Sequence, residues 1–208
     1  MELLEAIKSR RSIRKFKSEP IPESFINELL EAGRIAPSGS NLQPTRYVVI
    51  KSEEARAKLK ECSPLPFVAQ APAVIAVCAD NGVMSTAETR TRELMEANAF
   101  VDTPLSSNKN ADADADAYNK RRRVMDEAAL KSYLSLNAAI AIDHITLRAV
   151  DLGLGSCWVM MFDKAKVKEM LNLDERYDIV ALIPVGYPDQ APAQRPRLSM
   201  DEVLLKEI

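Results

Sequence analysis

Apolar residues at Leu3, Leu4 and Ile7 recur at helical spacing and predict a short opening helix that ends near Ser9. A second helix is expected from Pro22, whose missing N–H is harmless in a first turn. Phe25, Ile26, Leu29 and Leu30 form its stripe, which continues toward Ile35. Pro37 stops it, and Ser38, Gly39, Ser40 and Asn41 supply a turn. Two apolar runs of strand length follow, Tyr47 to Ile50 and Ala73 to Cys78, with a charged helical stretch from Glu53 to Glu61 between them. Neither run alternates with polar residues, so both are expected to be covered on two faces.

Further along, Thr86 to Phe100 reads as a weakly amphipathic helix. The stretch VDTPLSSNKNADADADAYNK then loses all periodicity. Its Ala-Asp alternation at 111–117 has no apolar face and fits a solvated loop or linker, or a mobile lid over a site. Val124 to Val150 predicts a long helix, apolar nearly all round through Leu130, Leu134, Leu136, Ile140, Ile142, Ile145 and Leu147, and such a helix is buried in a core or a subunit interface. Gly153 and Gly155 end it. A short buried strand at Ser156 to Val159, a helix at Asp163 to Leu171 and a strong strand at Ile179 to Val185 complete the pattern, before a proline-spaced tail carrying Arg195 and Arg197. The long gap between Cys78 and Ser156 breaks any steady βαβ alternation, so the expected class is α+β. One domain over 1–208, with a variable insertion or lid at about 80–125, accounts for the 208 residues.

Composition narrows the function. Hydrophobic residues make up 47% and charged ones 28%, as in a globular chain. A net charge of -2 and a pI near 5.6 provide no overall basic field for nucleic acid or an anionic membrane, so any anion site must be local. Cys62, Cys78 and Cys157 are widely spaced and form no CxxC pair, which predicts neither a disulfide framework nor a zinc cluster. The opening MELLEAIKSRRS lacks the pattern of a secretory signal, and no run approaches the roughly 18 apolar residues of a membrane span. A cytoplasmic protein is expected.

Candidate chemistry is sparse. GLGSCW at 153–158 has Trp158 where a dinucleotide fingerprint needs its third glycine, and it follows a helix. His144 is the single histidine and sits on the long apolar helix, where a structural role is expected, so neither a Ser-His-Asp nor a Cys-His device is supported. Arginines, by contrast, cluster in RRSIRKF at 10–16. If that segment is extended, alternation sends Arg10, Ser12 and Arg14 to one side and Arg11 with Ile13 to the other. Two guanidinium forks and a hydroxyl suit a phosphate monoester; the alternative is a basic surface loop paired with neighbouring acids. A chain with groups to hold a ligand but few to perform chemistry suggests a cofactor.

RRSIRKF, IPESFINELLEAGRIAPSGSNLQP followed by YVVI, GLGSCW, and IPVGYP with a trailing RPR and DEV stand in an order and spacing that resemble the FMN-dependent nitroreductase family. The resemblance implies an α+β fold with a central, mostly antiparallel sheet flanked by helices. It also implies an intertwined homodimer with FMN at each of two interface sites. Arg10, Arg11, Ser12 and Arg14 would then grip the ribityl phosphate, with Arg197 as a late phosphate ligand and Arg195 as its neighbour. Pro37, Ser38, Gly39, Ser40, Asn41 and Gln43 would reach the flavin from the other subunit. Trp158, Val159, Met160 and Met161 would lie along the ring, with the Met160 N–H toward N5. Many relatives carry a small or acidic residue where this chain has Met160-Met161, so its substrate pocket departs from the pattern. The implied chemistry is two-electron transfer from NADH or NADPH to a nitroaromatic, quinone or similar flat acceptor, without a catalytic side chain or metal. A flavin reductase or reductive dehalogenase of the same fold and a non-enzymatic flavin-binding or sensing protein are the alternatives. Another is an interaction protein whose basic segment contacts nucleic acid.

Overall fold

The computed structural model describes residues 1–99 and 125–208. The Ala-Asp stretch at 111–117 and the lid reading attached to it lie outside the described residues. Helices α1 (Leu3–Ser9) and α2 (Glu23–Arg34) lead through a single 3-10 turn, Gly39–Asn41, into strand β1 (Thr45–Ile50). Helices α3 (Glu53–Cys62) and α4 (Pro66–Gln70) precede strand β2 (Ala73–Asp80). A second 3-10 segment, Asn81–Thr86, and α5 (Ala87–Glu96) follow. The long helix α6 spans Glu127–Asp151, and then come β3 (Gly155–Ser156), α7 (Lys164–Met170), β4 (Tyr177–Gly186) and α8 (Met200–Val203).

Among the described residues the strands form one antiparallel sheet in the order β1-β2-β4-β3. Every residue of β2 is buried, and its period-two side chains divide between two cores. Ala73, Ile75, Val77 and Ala79 face Ile26 and Leu29 of α2 and Leu134, Ala138, Ile142 and Ile145 of α6. Val74, Ala76 and Cys78 face Leu59 of α3, Val68 of α4 and Val167 of α7. A run without polar alternation is what a strand needs when helices cover both its faces, and each valine or isoleucine so buried contributes about 1.5–3 kcal/mol. The expectation holds for β2 and in part for β1, an edge strand whose Tyr47 and Val49 pack on one core and Val48 and Ile50 on the other, with only Ile50 fully buried in this chain.

Helix boundaries follow local chemistry. Ser52 accepts the Ala55 N–H at the start of α3, Asp126 accepts that of Ala129 at the start of α6, and Asp163 accepts those of Ala165 and Lys166 at the start of α7. The cap at Asp126 explains why α6 begins at Glu127 and not at the Val124 expected from hydrophobicity. Its inward stripe enters the core, whereas Leu136 and Ile140 stay exposed on the opposite face. Beyond Tyr187 the tail lies on the surface with Leu198, Met200, Val203, Leu204, Leu205 and Ile208 open to solvent. Among the described residues no helix is long and apolar enough to cross a membrane.

One buried charge closes the far end of β2. Asp80 is 0% exposed, and its carboxylate accepts from Arg176 Nε at 2.6 Å and Nη2 at 2.8 Å and from the Gly82 N–H at 3.0 Å, while Arg46 Nη2 stands 3.0 Å away. Burial alone pushes this carboxyl pKa up, but Arg176, the Gly82 amide and Arg46 together outweigh it and hold the pKa below its usual value. A carboxyl depressed by folding stabilises the protein above its unfolded pKa, and the contribution is lost as pH falls through the folded value. Asp80→Asn is therefore expected to lower stability by about 2–4 kcal/mol in urea unfolding at pH 7, because it strands two guanidinium groups at a buried partner. The gap between variant and parent should narrow once the pH drops below about 4.

Candidate functional site

Residues 10–17 form no strand of their own, yet they lie along the sheet margin. Ser12 bridges Ser156 of β3 in parallel, Ile13 N–H donates to Ser156 O at 2.9 Å, and Lys17 N–H donates to Tyr187 O at 2.9 Å. The fit needs Gly155, since a Cβ there would stand 2.5 Å from Ile13 Cγ1. Ile13 is thereby buried, which turns its neighbours outward.

The alternation expected along this segment has a structural counterpart at Cys157. Burial pushes the Cys157 thiol pKa up, against the opposing pull of the Arg14 guanidinium, the Ser12 hydroxyl beside it, and the Arg195 and Arg10 guanidinium groups. Arg10, Ser12, Arg14 and Arg195 are thus gathered within electrostatic reach of one buried atom. Among the described residues no carboxylate or hydrogen-bond acceptor engages the Arg10, Arg14 or Arg195 side chain. Arg11 goes elsewhere: its Nη1 donates to Lys8 O at 2.7 Å and Arg10 O at 2.8 Å, closing the carbonyl end of α1. Arg197 donates to the carbonyls of Arg195 and Pro196 at 3.3 and 3.2 Å. Sequence order favoured Arg197 over Arg195, and Arg195 lies within electrostatic reach of the Cys157 thiol.

The strand expected at Ser156 to Val159 is shorter. After β3, Cys157 N–H donates to Pro184 O at 3.2 Å and Val159 exchanges both backbone hydrogen bonds with Leu182 at 3.0 Å, so the contact with β4 continues in register. Trp158 points outward, and Met160 and Met161 are 65% and 62% exposed. Ser63 Oγ holds Met161 O at 2.8 Å, and Phe162 N–H donates to Met160 O at 3.2 Å. No acceptor among the described residues takes the Met160 N–H. This leaves an outward amide on a backbone tied down on both sides.

The turn after α2 is built differently. Ser40, Asn41 and Gln43 all have positive φ, at 49°, 54° and 50°. Non-glycine residues rarely adopt this conformation, which costs about 1–3 kcal/mol each and clusters where function demands a set geometry. Ser38 closes the loop on itself, its carbonyl accepting from Asn41 N at 2.9 Å and its hydroxyl from Gln43 N at 2.9 Å. Beneath it lies a cavity of about 100 Å³ lined by Pro37, Ser38, Gln43, Tyr47 and Asn137, among others. The Tyr47 hydroxyl is buried without a hydrogen-bond partner, and burial pushes its pKa up to about 12. The arginine group and this turn therefore rest on different supports, the first on β3 and the second against α6. Asn137 and Tyr133, which touch the turn from α6, escaped the sequence reading because they stand in an apolar helix. A buried asparagine inside such a stripe is the one signal that could have marked the position.

The sequence profile of the nitroreductase family matches residues 7–187. A Thermus thermophilus protein named NADH dehydrogenase is 31% identical over 200 residues, covering 94% of this chain and 91% of that protein. Among solved structures, a nitroreductase family protein from Streptococcus pneumoniae superposes with a TM-score of 0.80 at 26% identity, covering 99% of this chain and 100% of that one. A nitroreductase-like protein from Exiguobacterium sibiricum, crystallised in complex with FMN, reaches 0.85 at 24% identity over 100% and 98%, a likeness of fold. With the profile spanning most of its length and a relative aligned almost end to end, this chain belongs to the nitroreductase family.

Proposed function

We propose that this protein is an NAD(P)H-dependent FMN oxidoreductase that reduces a nitroaromatic, quinone or similar flat acceptor in a reducing cytoplasm, where its three buried thiols stay free. The observation that carries the reading is that Arg10, Arg14 and Arg195 all lie within electrostatic reach of the Cys157 thiol beside Ser12, with no carboxylate on them among the described residues. In a chain of net charge -2, a group of cations without a carboxylate partner among the described residues suits a doubly charged phosphate monoester. The FMN-bound relative has the same fold, and the unengaged Met160 amide is the kind of donor a flavin ring requires.

FMN, when bound, supplies two-electron transfer between a nicotinamide and the acceptor. The chain's own residues then have separate tasks. Arg10, Arg14 and Arg195 bind the phosphate, with Ser12 adding a hydroxyl. The Met160 N–H donates toward the ring, held in place by the Val159–Leu182 pair on one side and the Ser63–Met161 bond on the other. The turn at 38–43 offers Ser40, Asn41 and Gln43 side chains from a closed backbone. Trp158, Met160 and Met161 present polarisable apolar surface to a flat acceptor.

A homodimer belongs to the same proposal. Leu3, Leu4 and Ile7 of α1, Leu136 of α6 and the tail, where Leu205 is 96% exposed, have no covering partner among the described residues. An apolar groove of about 450 Å³ between α1, α2 and α6 is lined by Leu3, Ile7, Ile35 and Leu147. A second copy that covers these surfaces can bring its turn at 38–43 to the first copy's arginines.

The purified protein is expected to carry FMN, identified by mass spectrometry of the released ligand, and its visible band should bleach on adding NADH or NADPH and return with a quinone. A colourless protein that takes up no added FMN overturns the reading. Replacing Arg10, Arg14 or Arg195 by Ala should each weaken FMN by about tenfold or more while sparing riboflavin, which lacks the phosphate. Arg197→Ala should weaken FMN less than Arg195→Ala in the same titration. Mixing Arg14→Ala subunits with Asn41→Ala subunits should restore one intact site per heterodimer, and no recovery of FMN binding counts against a shared site.

A further inference from the structure

We infer that Asn137 on α6 is a positioning residue for the flavin-contacting turn, setting the height of residues 38–43 against the ring through the Gly39 amide; the inference rests on the FMN reading above. The turn stores strain at Ser40, Asn41 and Gln43, and such a conformation persists only where its surroundings over-determine it. The bonds from Asn41 N and Leu42 N, to Ser38 O and Gly39 O, and from Gln43 N to Ser38 Oγ are internal to the turn. They fix its shape, while Leu42, buried in the core with α2 and α6, and Arg46 Nη1, donating to Gln43 O at 2.7 Å, anchor its far end. Gly39 N–H crosses to Asn137 Oδ1 at 2.7 Å, joining positions 98 residues apart.

The amide of Asn137 has a defined orientation. Its Nδ2 donates to Tyr133 O, one helical turn earlier, at 2.7 Å, so the side-chain oxygen is the atom turned to Gly39. Tyr133 also lies over the Gly39 Cα, where a Cβ would come within 1.8 Å of its hydroxyl oxygen. A cavity of about 100 Å³ borders Pro37, Ser38 and Gln43, so packing is incomplete at the near end of the turn. The hydrogen bond from the scaffold helix ties that near end down at Gly39. Asn137 is only 5% exposed and stands next to Leu134, Ala138 and Ala141, where an apolar side chain would pack without needing partners. A polar residue at such a place is accounted for by the backbone amide that it holds.

Asn137→Leu keeps the volume and removes the acceptor. Amide hydrogen exchange of the ligand-free protein should show Gly39 exchanging roughly tenfold faster or more while β2 amides keep their protection. FMN and riboflavin affinities, read by fluorescence quenching, should fall by the same factor of roughly ten, because the turn serves the ring and not the phosphate. Asn137→Asp keeps an oxygen for Gly39 and should retain both protection and ring affinity, which decides the matter if the leucine variant does not fold. Unchanged Gly39 exchange in Asn137→Leu, a loss of FMN affinity that spares riboflavin, or loss of ring affinity in Asn137→Asp with Gly39 still protected overturns the assignment. Parent protein that binds neither flavin defeats the FMN reading itself, whereas parent protein that binds both, beside an unaltered leucine variant, defeats this inference alone.

Discussion

Covering both faces of β2 forces Ala73, Ile75, Val77 and Ala79 toward α2 and α6 and Val74, Ala76 and Cys78 toward α3, α4 and α7. Because the side-chain period of a strand is two, a slip of one residue would exchange the two sets and leave both cores misfilled. The register of the sheet is therefore strongly specified. From it follow the placement of β1 and β4 on either side, the docking of β3 on β4, and the line along which residues 10–17 lie.

The same constraint separates structural from functional charge. Asp80 ends the buried strand and is neutralised on the spot by Arg176 and Arg46, whose guanidinium groups are thereby occupied. Arg11 and Arg197 are occupied as well, on backbone carbonyls. Against that background, Arg10, Arg14 and Arg195 stand out by having no such partner among the described residues. A local cationic site can exist in a mildly acidic chain because most of its other arginines are already spoken for.

The long helix α6 serves the two halves of the proposed site in different ways. Its inward stripe makes one of the two cores, and its Tyr133–Asn137 pair touches the turn at 38–43. Its outer residues Leu136 and Ile140 remain uncovered. A helix read as apolar nearly all round is thus divided among core, turn support and open surface, which hydrophobicity alone does not distinguish.

Local signals were enough for the elements whose formation is local. The stripe of α2, the apolar runs of β1, β2 and β4, the helices around 53–62 and 164–170 and the α+β class were all readable, because periodicity and turn residues act over a few positions. Motif order was enough to suggest the family and an arginine site for phosphate. Short α4 escaped notice, as five residues hold little more than one helical turn and cannot show a repeating stripe. What the tertiary structure alone decided was how residues distant in sequence share space. It covered both faces of β2 but left β1 at an edge, brought Arg195 from the tail within reach of Cys157 together with Arg10 and Arg14, and paired Gly39 with Asn137. Those outcomes depend on contacts between segments tens of residues apart, and no local pattern of side chains encodes which of several identical arginines the folded chain will bring to one point.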